Sequence, residues 1–179
     1  MRKLSMDELN RKSIEEFREA SKMPVIVVLE NIRSMHNVGS VFRTADAFLV
    51  ESIYITGYTA QPPRNEIEKT ALGATETVAW KYFNTTMEAI TNLREEGYAV
   101  YSIEQVDESI SLEQLRPFDF NKIAFIFGNE VTGVEESSIR ECDGCIEIPQ
   151  FGMKHSLNIS VAAGIVLWEV ARAQIHLKC

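Results

Sequence analysis

Five short runs of β-branched and aromatic residues recur along the chain: Pro24–Glu30, Ser52–Gly57, Tyr98–Glu104, Lys122–Gly128 and Gly144–Pro149. The first, PVIVVLE, and the fourth, KIAFIFG, have no polar residue inside them, so neither has a face that could meet water. Strands of this kind are buried on both sides, as strands of a parallel sheet are. Between the runs lie stretches with helical patterning, roughly Val38–Phe48 and Met87–Gly97, the second closed by a glycine. Strand alternating with helix predicts an α/β fold with a mainly parallel sheet and helices on both faces.

The other segments fit one domain. Leu9, Ile14 and Phe17 among the charges of Asp7–Ala20 predict an amphipathic surface helix, which sets off residues 1–22 as an extension of a main domain over 23–179. A Pro-rich loop, TAQPPRNE, follows the second strand. The last helix, Val161–His176, opens with VAAGIVLW and lacks a polar stripe before Glu169. A helix that is apolar all round is covered all round, and a terminal helix of a small domain needs a second subunit to cover its outer side.

Composition excludes several classes. With 179 residues, 45% of them hydrophobic and 25% charged, the chain is of ordinary globular make-up. No apolar run reaches the roughly 18–20 residues that cross a bilayer, and MRKLSMDELNRK lacks the apolar centre of a secretory signal. The expected location is the cytoplasm, with no membrane partner. Three cysteines do not make a disulfide framework. Cys142 and Cys145 form a C-x-x-C, but only His155, His176 and Cys179 follow as further ligands, and the first cysteine ends a helical stretch instead of opening one. No metal is expected, and the pair reads as two incidental cysteines beside a turn. A net charge of −8 weakens a polyanion-binding reading. The charge is uneven, though: Thr86–Lys122 holds eight acidic and three basic residues, whereas Met1–Lys22 holds six basic and five acidic.

Ligands of open α/β sheets bind beyond the carboxyl ends of the strands, and four loops there have unusual polar content: Asn31–Arg43, Gln61–Thr70, Gly128–Gly133 and Gln150–Ser160. In the first, Asn37 is placed to cap a helix whose second turn carries Arg43; a helix start with an arginine beside it suits phosphate, and a solvent-facing arginine on a capped helix is the plainer reading. In the third, FGNEVTGV, Glu130 stands between Gly128 and Gly133, either as a turn residue or beside a ligand. There is no Gly-Lys-Ser/Thr phosphate loop and no G-x-G-x-x-G. In the fourth, GMKHSLNIS, capping uses one or two of Ser156, Asn158 and Ser160 and leaves the rest for a ligand. Ser156 lacks a nucleophile elbow, which disfavours a hydrolase.

Taken together, NVGSVFRTADAF, FIFGNEVTGV and IEIPQFGMKHSLNISVAAGIVL resemble, in order and spacing, the three motifs of the SpoU (TrmH) family of RNA 2′-O-ribose methyltransferases, of the SPOUT class. KTALGATETVAW (Lys69–Trp80) is similar to the segment between the first two motifs. The resemblance implies a C-terminal deep trefoil knot, a homodimer through the last helix, S-adenosylmethionine (AdoMet) as cofactor, and tRNA or rRNA as substrate. It implies a catalytic set of Asn37, Arg43, Glu130, Ser156 and Asn158. It places AdoMet against backbone of Gly128, Asn129, Ile148 and Leu157, with the end of the Tyr98–Glu104 strand nearby. It assigns deprotonation of the ribose to Arg43, although a guanidinium is always protonated and a clamp on a neighbouring phosphate is the alternative. Leu49 and Gln150 depart from the family's common Gly and Met, outside the functional positions. The separate RNA-binding domain of rRNA-modifying members is not found in the sequence, which favours a compact tRNA. The rival readings are a base methyltransferase of the same knotted class and an RNA-binding or assembly protein without catalysis.

Overall fold

The computed structural model describes residues 1–5, 7–116 and 121–177, residue 7 and those from 174 on by backbone only. Seven strands form one wholly parallel sheet: β1 (Met23–Glu30), β2 (Val50–Thr56), β3 (Ala79–Phe83), β4 (Ala99–Ile103), β5 (Ile110–Ser111), β6 (Ile123–Phe127) and β7 (Gly144–Glu147). Their order across the sheet is β3-β2-β1-β6-β4-β7-β5, every pair parallel. All five expected strands are present, with ends shifted by at most two residues. β3 and β5 were not expected: β3 is an edge strand with no buried position, and β5 has two residues.

The continuous apolar runs are buried on both sides, as the pattern predicted. Val25, Val27 and Leu29 of β1, with Phe125 and Phe127 of β6, face α2 (Met35–Ala47) and α7 (Ile159–Leu177). Ile26 and Val28, with Ala124 and Ile126, face α5 (Thr86–Glu95) and the neighbourhood of α6 (Glu136–Glu141). Successive strand side chains point to opposite faces, so each run supplies two cores. α3 (Asn65–Ala71) and α4 (Ala74–Thr77) follow the Pro-rich loop and pack beside α2. A Cβ on Gly39 would lie 2.1 Å from the carbonyl oxygen of Ile67, so only glycine admits this α2–α3 approach.

Two expectations are corrected. The stretch Asp7–Ala20 is not one helix: a 3-10 turn at Asp7–Leu9 ends near Asn10 (φ 46°), and α1 (Ile14–Glu19) starts afresh. Ser13 and Glu16 close a capping box there, which satisfies N–H groups that a new helix start leaves without an intrahelical partner, and Phe17 alone is buried. Second, α2 begins earlier than Val38 and Ser34 caps it; Asn37 donates its N–H to the Ser34 hydroxyl at 3.3 Å. Within one chain α7 leaves its outer side uncovered, as expected of an apolar helix at the end of a small domain. Ala163, Val166, Leu167 and Val170 are buried, while Val161, Ile165 and Trp168 are 50%, 37% and 50% exposed.

Leu49 has φ 54°, a left-handed conformation that disfavours a side chain bearing Cβ, and that accounts for glycine being common at this position in the family it resembles.

Candidate active site

The carboxyl ends of β1, β6, β4 and β7 stand side by side in the middle of the sheet, so the loops leaving them converge. Glu130, from the loop after β6, reaches across to the start of α2. Its carboxylate accepts the N–H groups of Arg33 (3.0 Å) and Ser34 (3.1 Å) and the Asn37 amide (2.9 Å). Asn37 sits in the first turn instead of capping, which turns its amide outward. Its Oδ1 accepts from Asn158 Nδ2 at 3.2 Å. Asn158 in turn caps α7, accepting the Ser160 N–H (2.9 Å) and hydroxyl (2.7 Å) on its own Oδ1. Three loops distant in sequence are thus joined through Glu130, Asn37 and Asn158. Partial burial pushes the Glu130 carboxyl up, but hydrogen bonds from Arg33, Asn37, its own backbone and Ser34 outweigh that and hold it below its ordinary value.

Arg43 lies on α2 about 9 Å farther along the axis than Asn37, at about 1.5 Å per residue. It is exposed, and among the described residues it has no hydrogen-bond or ion-pair partner. Ser156, Lys154 and His155 are likewise exposed on the loop entering α7.

The Glu130 loop is held from both sides. Asn129 and Gly133 exchange backbone hydrogen bonds of 3.0 and 2.9 Å, and Asn129 Oδ1 accepts the N–H groups of Val131 and Thr132 at 2.8 and 3.1 Å. Asn129 Nδ2 donates to the Asn31 carbonyl and the Tyr58 hydroxyl, both at 2.7 Å. A Cβ on Gly128 would lie 2.2 Å from the Gly133 carbonyl carbon, which fixes glycine there. Glu30, fully buried at the end of β1, accepts from the Glu135 N–H at 2.8 Å and from the Ser138 hydroxyl. Glu104, just past β4, accepts from the Val134 and Gln105 N–H groups, each at 3.0 Å. Neither carboxylate was singled out in the sequence; the available signal was an acidic residue closing an apolar run.

A cavity of about 510 Å³ opens beside this loop, over the ends of β4, β6 and β7. Gly128, Asn129, Ile148 and Leu157 all line it, and so do Glu130 and Ser156. Asn37, Arg43 and Asn158 do not; they stand in the adjoining polar network and on α2. The arrangement is a half-open cavity next to a polar face.

The sequence profile of the SpoU rRNA Methylase family matches residues 24–168. The chain belongs to that family. A tRNA (guanosine(18)-2′-O)-methyltransferase of Thermus thermophilus is 32% identical over 169 residues, covering 94% of this chain and 84% of the relative. A 23S rRNA (guanosine-2′-O-)-methyltransferase RlmB of Neisseria meningitidis is 30% identical over 155 residues, 87% of this chain and 61% of the relative. Among solved structures, the Aquifex aeolicus TrmH/SpoU tRNA modifying enzyme superposes with TM-score 0.82 at 24% identity, covering 92% of this chain and 84% of that one, a likeness of fold. An AdoMet-bound rRNA methyltransferase from Sinorhizobium meliloti superposes with TM-score 0.78 at 26% identity, over 87% of this chain and 59% of its own.

Cys145 is buried against the Ser102 hydroxyl at 2.8 Å, and Cys142 bonds the Ser138 carbonyl at 3.2 Å. Burial pushes the Cys142 thiol up to about 12, the opposite of what a reactive thiolate needs. Among the described residues no group of three His, Cys, Asp or Glu gathers as a metal site, and no helix is long and apolar enough to cross a membrane. His176 and Cys179 lie outside the described side chains.

Proposed function

We propose that this chain is an AdoMet-dependent RNA methyltransferase acting on a ribose 2′-hydroxyl of tRNA or rRNA, with tRNA favoured. The observation that carries the reading is the Glu130–Asn37–Asn158 network, which fastens three motif loops together at the mouth of a ligand-sized cavity. Both relatives named above are 2′-O-methyltransferases, which favours the ribose over a base. The relative with higher identity acts on tRNA.

The cavity suits the cofactor. Its volume falls in the range of about 300–1,000 Å³ typical of small-molecule sites. Its wall combines apolar Ile103, Phe127, Ile148 and Leu157, for a flat heterocycle, with backbone of Gly128 and the Glu104 carboxylate, for polar substituents. When bound, AdoMet supplies an electrophilic methyl group, and the protein supplies position and handles the proton. Glu130, Asn37 and Asn158 are positioning residues that set α2 against the other two loops. Arg43 is uncompensated and exposed, so its guanidinium meets a phosphate beside the target ribose; the family resemblance assigns it instead the proton of O2′. The unpaired charge favours the clamp, because guanidinium does not give up its proton in proteins. Ser156, at the border of cavity and solvent, binds the same phosphate. Holding the reacting groups in line supplies much of the acceleration.

The sheet order supports a trefoil knot in the C-terminal part: β6 inserts between β1 and β4, β7 lies beyond β4, and α7 returns to pack on α2. Residues 23–179 form the methyltransferase domain and 1–22 an extension, docked through Phe17. Val161, Ile165 and Trp168, spaced i, i+4, i+7 on the exposed side of α7, support a homodimer through that helix. Light scattering at micromolar concentration tests this: a dimeric mass is expected, and a monomeric mass overturns it. The cytoplasm is the proposed location. Label transfer from AdoMet to a ribose of tRNA or rRNA tests the activity itself.

A further inference from the structure

Glu104 holds the Glu130 loop through Val134 and still has acceptor capacity to spare. It stands one residue beyond β4, at the carboxyl edge of the sheet, and lines the cavity. Its carboxylate is oriented by two backbone donors, one on each oxygen: Gln105 N–H on Oε1 and Val134 N–H on Oε2, both at 3.0 Å. The fold makes room for it at a cost. Gly133 has φ +72°, and a Cβ there would come 2.2 Å from Glu104 Oε2. A carboxylate carries about four acceptor sites and no donor, so two backbone N–H groups leave each oxygen able to accept again. Among the described residues no lysine or arginine pairs with it.

Two of the other side-chain acceptors on the cavity wall are already engaged. Asn129 has its amide and carbonyl engaged within its own loop and with Asn31 and Tyr58, and Glu130 is spent on the start of α2. A pair of fixed, adjacent acceptors at a strand end matches a vicinal diol, whose two hydroxyls both need acceptors when water is excluded. An acidic side chain at such a position meets ribose hydroxyls in other open α/β sheets.

We propose that Glu104 binds the 2′,3′-diol of the cofactor's own ribose, as a cofactor-binding residue that acts through its side chain. This rests on the reading of the cavity as the AdoMet site. Hydroxyl-to-carboxylate bonds are charge-assisted, and loss of one weakens binding by roughly tenfold to a hundredfold.

The test is calorimetric binding of two probes to the full chain: S-adenosylhomocysteine and its 2′,3′-dideoxyribose analogue. The wild-type chain is expected to bind the dideoxy probe at least about tenfold more weakly. Glu104→Gln keeps an acceptor for Val134 and removes the charge; it is expected to weaken S-adenosylhomocysteine and to narrow the gap between the probes to about threefold or less. Equal binding of both probes by the wild-type chain overturns the proposal whatever the variant does. A gap that Glu104→Gln leaves unchanged overturns it as well, even if overall affinity falls. Failure of the wild-type chain to bind S-adenosylhomocysteine at all overturns the cofactor reading, and the Glu104 assignment with it.

Discussion

Replacing Glu130 by glutamine keeps size and shape and exchanges one acceptor oxygen for a donor. Three donors converge on that carboxylate: the Arg33 and Ser34 N–H groups and the Asn37 amide, at 2.9–3.1 Å. The amide of Glu130→Gln must give up at least one of these bonds and turn a donor toward a donor. A hydrogen bond to a charged group contributes about 1.5–3 kcal/mol, and solvent on the open side reduces that, so the expected loss of stability is about 1–2 kcal/mol. In a domain of this size each kcal/mol moves Tm by about 2–4 °C, which gives a fall of roughly 2–8 °C. The effect on rate is larger than stability alone implies, because the loops after β1 and β6 lose their link. Misplacement by about 1 Å costs up to about a hundredfold in rate, and kcat is expected to fall at least about tenfold. Calorimetry and steady-state methyl transfer on one preparation measure both. A Tm within about 1 °C of wild type together with a rate within about twofold refutes the positioning role of the network.

Arg43→Ala is expected to abolish methyl transfer while S-adenosylhomocysteine affinity stays within about threefold, since Arg43 lies off the cavity wall; full activity in that variant removes Arg43 from the mechanism. Gly128→Ala, whose Cβ would meet backbone at 2.2 Å, is expected to lose S-adenosylhomocysteine binding and to unfold at a lower temperature; calorimetric binding comparable to wild type contradicts the close approach of Gly128 and Gly133. The Glu130 carboxyl lies below its ordinary value of 4.5, so its contribution to stability is complete above that pH and is lost as pH falls through the lower folded value. Urea unfolding of wild type should therefore weaken below about pH 4.5 more steeply than that of Glu130→Gln, and parallel curves contradict it.

The strands with two buried faces could be read directly because PVIVVLE and KIAFIFG have no wet side to offer. β3 could not: AWKYF mixes Lys81 with aromatics on an exposed edge, where burial imposes no pattern. The order of the strands is set by packing between elements far apart in sequence, and alternation alone does not carry it. At the site, residue identities were readable through the motifs, but the bonds were not. Asn37 had the look of a helix cap; Ser34, three residues earlier, does that work and leaves Asn37 to link Glu130 with Asn158. Glu30 and Glu104 passed unnoticed because a single carboxylate at the end of an apolar run gives no hint whether it meets water, backbone or a ligand.

The most direct measurement supplies labelled AdoMet with tRNA and with rRNA in separate reactions, digests each RNA to nucleosides and identifies the labelled product. Label on the ribose O2′ of a nucleoside, from tRNA in preference to rRNA, is the predicted result. Label on a base, or none with either RNA, contradicts the assignment of this chain as a ribose methyltransferase.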